Sequence, residues 1–245
     1  MQRAERVAAI ADVHGNATAL EALLAEIEQL QPDLIVSCGD LTWGPLPRET
    51  VGLLEPWRER VLFVRGNSER ELQERKLDSE LARWQHARHA EEVLQAYLGR
   101  VQDGAVVEIE GLGSTLFCHG SPRSDEECVT RETPAERVAE FTADLAQACV
   151  VTAHTHMQYD RRVGEVRLLN PGSVGLPYEP EPGQAYWALL GPDVEHRRTP
   201  YDLDAAIERM RAAASPAFER IEELLRTPPT QTEVIEDAER VVFAG

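Results

Sequence analysis

The chain has 245 residues, 42% of them hydrophobic and 28% charged, which is enough for one full-sized core and ordinary for a water-soluble domain. A formal charge of −18 argues against a surface that grips long nucleic acid or an anionic membrane, and no stretch reaches the roughly 18 to 20 apolar residues of a spanning helix. Met1 to Arg6 carries no signal-peptide pattern, so a cytoplasmic location is the expectation.

The first element is the apolar run Val7 to Ala11, a buried strand, followed at once by Asp12-Val13-His14. From Asn16 to Leu30 the apolar residues Leu20, Leu23, Leu24, Ile27 and Leu30 form a helical stripe that Pro32 closes. Leu34 to Ser37 is the second strand, ending in Gly39-Asp40, and this β-α-β unit predicts a mostly parallel sheet. Val61 to Val64 is the third, ending in Gly66-Asn67. From Ser68 to about Arg100 the chain is highly charged with an amphipathic spacing, which predicts a helical insertion of one or two helices. It is expected either to cap the strand ends or to pack on the sheet face. Ser114 to Cys118 leads to His119-Gly120, and Cys149 to Ala153 leads to His154-Thr155-His156.

Beyond His156 short antiparallel strands are expected over 161–163, 165–169, 185–190 and 194–198, joined by glycine and proline turns. Helices at about 203–211 and 216–225 follow, then Thr227-Pro228-Pro229-Thr230 and a short tail. The whole of 1–245 reads as one domain, with the insertion at about 68–100 and the C-terminal helices and tail at about 203–245. Cys38, Cys118, Cys128 and Cys149 form no CxxC pair, and three lie in apolar runs, so all are expected as free structural thiols.

Seven polar residues therefore stand directly after strands: Asp12, His14, Asp40, Asn67, His119, His154 and His156. In open α/β sheets the carboxyl ends of the strands share a crevice, so residues far apart in sequence can meet there. Asp12 and His14, on alternate positions, can chelate one ion, and the Asp40 carboxylate can bridge two. Asn67 offers an amide oxygen, and His154 and His156 can reach different ions from one loop. Two carboxylates, one amide and four imidazoles without a thiolate suit Mn²⁺, Fe²⁺, Zn²⁺ or Ni²⁺ better than Ca²⁺ or a purely structural zinc, and Mn²⁺ is the first expectation. Seven ligands exceed one tetrahedral site, and two divalent ions sharing Asp40 fit the number.

In this order the motifs Asp12-Val13-His14, Gly39-Asp40, Gly66-Asn67, His119-Gly120 and Ala153-His154-Thr155-His156 resemble the calcineurin-like metallophosphoesterase superfamily. Asp12 to Asn16 with Ala19-Leu20, and Asn170-Pro171-Gly172-Ser173-Val174-Gly175, resemble its small bacterial and archaeal phosphodiesterase-like branch. The resemblance implies a four-layer α-β-β-α sandwich. It implies that Asp12, His14 and His156 hold one ion, that Asn67, His119 and His154 hold the other, and that Asp40 bridges. It also implies hydrolysis of a phosphoester by a hydroxide held between the ions.

The superfamily often has histidine after the G-N pair, as an acid for the leaving oxygen; here Ser68 stands there, a poor proton donor. Asp40, His119, Arg65 and Ser68 are the candidate catalytic residues. Arg65 corresponds to an arginine that holds a phosphate oxygen in related phosphatases, and a bidentate guanidinium suits that task. The loop Gly39 to Pro45 is one residue shorter than usual, which puts Trp43 at the mouth. Asn16 and Asn170 are read as supporting donors or loop formers, His86 and His89 as a solvated helix face or an acid lent by a cap, His196 as structural, and Asp125-Glu126-Glu127 as a solvated loop.

The expected substrate is a small phosphodiester or nucleotide; a phosphomonoesterase, protein phosphatase or dinucleoside polyphosphate hydrolase is the alternative within the class. A non-catalytic protein-interaction scaffold is the alternative outside it. No membrane partner and no long nucleic acid are expected, and a homo-oligomer is compatible with the sequence.

Overall fold

In a computed structural model that describes residues 2–240, the chain runs β1 (Gln2–Ala4), β2 (Val7–Ile10), α1 (Ala17–Leu30), β3 (Leu34–Ser37), α2 (Pro47–Leu54), β4 (Val61–Phe63) and α3 (Asn67–Gln73). It continues through α4 (Glu80–Arg88), α5 (Glu92–Leu98), β5 (Ala105–Ile109), β6 (Gly113–Phe117), α6 (Ala135–Thr142) and β7 (Cys149–Val151). The last elements are β8 (Gln158–Val163), β9 (Val166–Pro171), β10 (Gln184–Leu190), β11 (Val194–Pro200), α7 (Leu203–Ala212), α8 (Phe218–Arg226) and α9 (Gln231–Arg240).

The strands form two mixed sheets. One has five strands in the order β11-β10-β2-β3-β4, the other six in the order β1-β5-β6-β7-β9-β8. β2, β3 and β4 pair in parallel, as do β6, β7 and β9, so β2, β3, β4, β6 and β7 each send a carboxyl end toward a shared edge. Successive residues of β2 face opposite ways and both faces are buried: Val7 and Ala9 pack between the sheets, Ala8 and Ile10 against the outer helices. Between the sheets Val36, Val64, Val107, Phe117, Val151 and Leu190 meet. Outside the first sheet α1, α2 and α5 supply Leu20, Leu23, Val51, Leu94 and Tyr97, and outside the second α6 supplies Val138 and Phe141. Helices therefore enclose two facing sheets, the expected four-layer arrangement.

The insertion divides. α5 buries Leu94, Tyr97 and Leu98 in the sheet-and-helix core, whereas α4 buries only Gln85, which with its C-terminal cap His89 reaches the chain after Asp40. The segment after Thr230, expected as a tail, forms α9 with Ile235 and Ala238 buried; Val241 to Gly245 lie outside the described residues. The four cysteines are free, three of them buried.

Candidate metal centre

The five strands hand the chain to the seven residues at the common edge, and the turn geometry there is unusual. Asp12, His14, Asp40, His154 and His156 have φ between 50° and 66°, five of the eight non-glycine residues with positive φ among those described. Left-handed backbone costs a side-chain-bearing residue roughly 1–2 kcal/mol, so it persists only where surrounding bonds enforce it. Those bonds run between the loops: the Asp12 amide donates to Gly39 O at 3.1 Å, the His14 amide to Asp40 O at 3.0 Å, and the Ala153 amide to His119 O at 2.6 Å.

Two sets of donor atoms result. His14 Nε2 and His156 Nε2 lie 3.1 Å apart, with Asp12 Oδ1 at 4.0 and 3.6 Å from them and Asp40 Oδ2 3.9 Å from His14. On the other side His119 Nε2 lies 3.0 Å from Asn67 Oδ1, 3.2 Å from His154 Nδ1 and 3.6 Å from Asp40 Oδ1. Two ligands about 2.1 Å from one ion at a right angle are about 3.0 Å apart, so these nitrogen pairs have coordination spacing. Asp12, His14 and His156 each offer an atom within 4.8 Å of the others, and so do Asp12, Asp40 and His119. Asp40 turns one oxygen to each set. Asp12 Oδ1 also lies 4.0 Å from the His119 ring, at its outer nitrogen Nδ1.

The imidazoles are aimed by their outer nitrogens. Nδ1 of His156 bonds to Leu176 O at 2.7 Å, that of His119 to Cys38 O at 2.7 Å, and that of His14 to Trp43 O at 3.3 Å. A carbonyl can only accept, so each Nδ1 carries the proton and each Nε2 lone pair points inward, the arrangement that orients metal-ligating histidines. Burial lowers the pKa values of His156, His14 and His154, the last to about 4, which keeps them neutral near pH 7. For Asp40, burial pushes the carboxyl up, but His119, His14, His154 and the Ser68 hydrogen bond together bring it down to about 2. Burial raises Asp12 well above the usual range, and its Oδ1 is a buried oxygen with no hydrogen-bond partner. An orphaned, fully buried carboxyl oxygen facing the Nε2 atoms of His14 and His156 is the environment a divalent cation fits.

Glu69, which the sequence reading passed over, holds the site from behind. One carboxylate oxygen accepts the amides of Asp40 and Gly66, each at 2.9 Å, and the other accepts the Leu41 amide at 3.0 Å and the Tyr97 hydroxyl at 2.9 Å. The signal lay in its place at the third helical residue, where glutamate caps a helix start. Ser68 is buried, and its amide donates to Asp40 Oδ1 at 3.0 Å. Arg65 lines a cleft of about 380 Å³ with Arg70, Asp103, His119, Ser121 and Arg123, and pairs with the exposed Asp103 at 2.6 Å. On the opposite flank the rings of Trp43, His14, His156 and Tyr178 follow one another at 5.2, 4.9 and 4.6 Å between centroids.

His89 is 2% exposed and bonded at both ring nitrogens, so it belongs to no solvated face and is not turned to the site; His86 is only partly buried. Glu127 is fully buried with Arg123 and Arg137 on its carboxylate, so it does not belong to a solvated loop; Asp125 and the exposed Glu126 both bind Arg70. Asn16 caps α1 through the Ala19 amide, and Asn170 donates to Ala153 O at 2.9 Å; both shape loops. His196 bonds to the Asn170 carbonyl.

A two-sheet α/β sandwich with clustered imidazole, carboxylate and amide groups at its strand ends defines the class: a protein with a candidate metal centre of hydrolase type. A sequence profile of the Calcineurin-like phosphoesterase superfamily domain matches residues 6–190, and the chain belongs to this superfamily. Comparison with curated proteins returned no match. Among solved structures the chain is similar to a metallophosphoesterase from Sphaerobacter thermophilus, at 26% identity and a TM-score of 0.73, over 92% of this chain and 100% of that one. A hypothetical protein from Pyrococcus horikoshii OT3 shares the fold at 19% identity and a TM-score of 0.78, over 94% and 100% of the two chains. A phosphoesterase from E. coli shares it at 20% identity and a TM-score of 0.50, over 80% and 100%.

Proposed function

We propose that the chain is a phosphoesterase dependent on two divalent metal ions, Mn²⁺ first among them, acting on a small phosphodiester or nucleotide. The carrying observation is Asp40, whose two oxygens face different donor sets, 3.9 Å from His14 Nε2 and 3.6 Å from His119 Nε2. Asp12, His14 and His156 would hold one ion, Asn67, His119 and His154 the other. Bound there, the ions supply an activated water and neutralise phosphoryl charge. The protein's own groups orient the site: the carbonyls of Trp43, Leu176 and Cys38 fix three histidine tautomers, and the Ser68 amide fixes Asp40. Arg65, beside His119 in the cleft, would exchange its exposed partner Asp103 for a phosphate oxygen. With Ser68 where an imidazole donor is usual, good leaving groups are favoured over poor alkoxides.

Bis-p-nitrophenyl phosphate with added Mn²⁺ tests this reading. Hydrolysis is expected for the wild type and a fall of at least about a hundredfold for Asp40→Asn and His119→Ala. A wild type inactive over Mn²⁺, Fe²⁺, Zn²⁺ and Ni²⁺ that captures a protein partner would instead support a scaffold.

A further inference from the structure

α4 reaches the site through one short stretch of chain. Gln85 Nε2 donates to the Gly44 carbonyl at 3.1 Å, and His89 Nε2 lies 2.8 Å from the Thr42 hydroxyl. His89 Nδ1 lies 2.7 Å from the Gln85 carbonyl one turn back, so that nitrogen carries the proton and Nε2 accepts from the threonine. Residues 42–44 in turn surround His14. The Trp43 carbonyl accepts from its Nδ1 at 3.3 Å, and the Trp43 ring meets the imidazole edge-on at 5.2 Å between centroids. Gly44, at φ +142°, lies so close to His14 that a Cβ would overlap the His14 carbonyl.

Gln85 is 2% exposed, and its Oε1 has no hydrogen-bond partner among the described residues. An unpaired buried amide oxygen is destabilising. Methionine would fill the same space without an orphaned oxygen, but it would leave the buried Gly44 carbonyl unpaired, so apolar packing alone does not account for a glutamine. What glutamine adds is the donor to Gly44.

We propose that α4 is a strut, in which Gln85 and His89 hold residues 42–44 and thereby aim His14 Nε2 at its donor set. Both are positioning residues, since neither touches the set. The insertion thus governs how tightly the His14 side of the centre holds its ion, rather than opening and closing over the site. This rests on the two-ion reading above.

The test titrates the full-length chain and its variants with Mn²⁺ by calorimetry, and follows spin coupling between neighbouring Mn²⁺ ions by electron paramagnetic resonance. His14→Ala and His119→Ala serve as references for loss of either ion. The wild type should bind two ions. Gln85→Met and Thr42→Val should keep one at wild-type affinity while the other weakens about tenfold or more, with loss of the coupled spectrum. Thr42→Ser, which keeps the hydroxyl, should restore both. Metal-free Gln85→Met loses the orphaned amide oxygen but leaves the buried Gly44 carbonyl unpaired, so its melting temperature should stay close to that of the wild type. Two ions at wild-type affinity in both Gln85→Met and Thr42→Val would overturn the strut, as would a lowered melting temperature with both ions weakened alike. A wild type that binds fewer than two ions would overturn the two-ion reading itself.

Discussion

Glu69 shows what a single buried side chain contributes at this site. Its carboxylate collects three backbone amides and a phenol, fixing the turns at Asp40 and Gly66 and tying both to α5 through Tyr97. Glutamine would present an amine to donors that need an acceptor. Glu69→Gln is therefore expected to lose about 3 kcal/mol, seen in thermal unfolding as a Tm lower by roughly 6 to 12 °C; an unchanged Tm would refute this role. The clustering of the seven residues was legible because each stands just after an apolar run, so strand-end chemistry announces itself locally. Glu69 was not, because a glutamate in the first turn of a helix is ordinary and its partners Leu41 and Tyr97 each stand 28 positions away. Glu127 was misread for a related reason. Three consecutive acids look solvated until Arg123 and Arg137 are brought to the last of them from α6 and the preceding turn.

At the scale of elements, the turn after His119 is held to α6 by Glu127, which accepts from Ser121, Arg123 and Arg137. Burial raises the Glu127 pKa, but these three donors outweigh it and leave the pKa below the ordinary glutamate value. A depressed folded-state pKa stabilises above the unfolded value and loses that contribution as pH falls through the folded one. Glu127→Gln should thus be less stable by about 2 kcal/mol at neutral pH, and the gap to wild type should narrow below about pH 4.3. Denaturant midpoints at pH 7 and pH 3.5 check this; an equal gap at both would contradict it. The strands leading into the site were readable as apolar runs and those after it from turn residues, but β5 was not expected. β1 has three residues, too few for a pattern, and α9 buries only Ile235 and Ala238 within a polar sequence, so neither declared itself. The division of the insertion was hidden as well. Its charged sequence marks helices but not which of them enters the core, and that depends on the space left beside α2.

The whole molecule carries a charge of −18 and gathers two carboxylates among four imidazoles at one edge, so cations have both a general and a local reason to bind. Mn²⁺ at a hundred times its Kd is expected to add about 2.7 kcal/mol per ion, raising Tm by roughly 5 to 10 °C for each. Differential scanning calorimetry with Mn²⁺ and with excess EDTA measures it, and no shift would argue against ion binding. Asp12, His14, Asp40 and Asn67 leave the five-stranded sheet, while His119, His154 and His156 leave the six-stranded one. Each donor set draws from both, so a half-made chain with only one sheet in place offers neither set whole. Tight metal capture would then certify that the two halves have docked correctly, and a cell short of the metal would hold chains correctly folded yet unsealed along that seam.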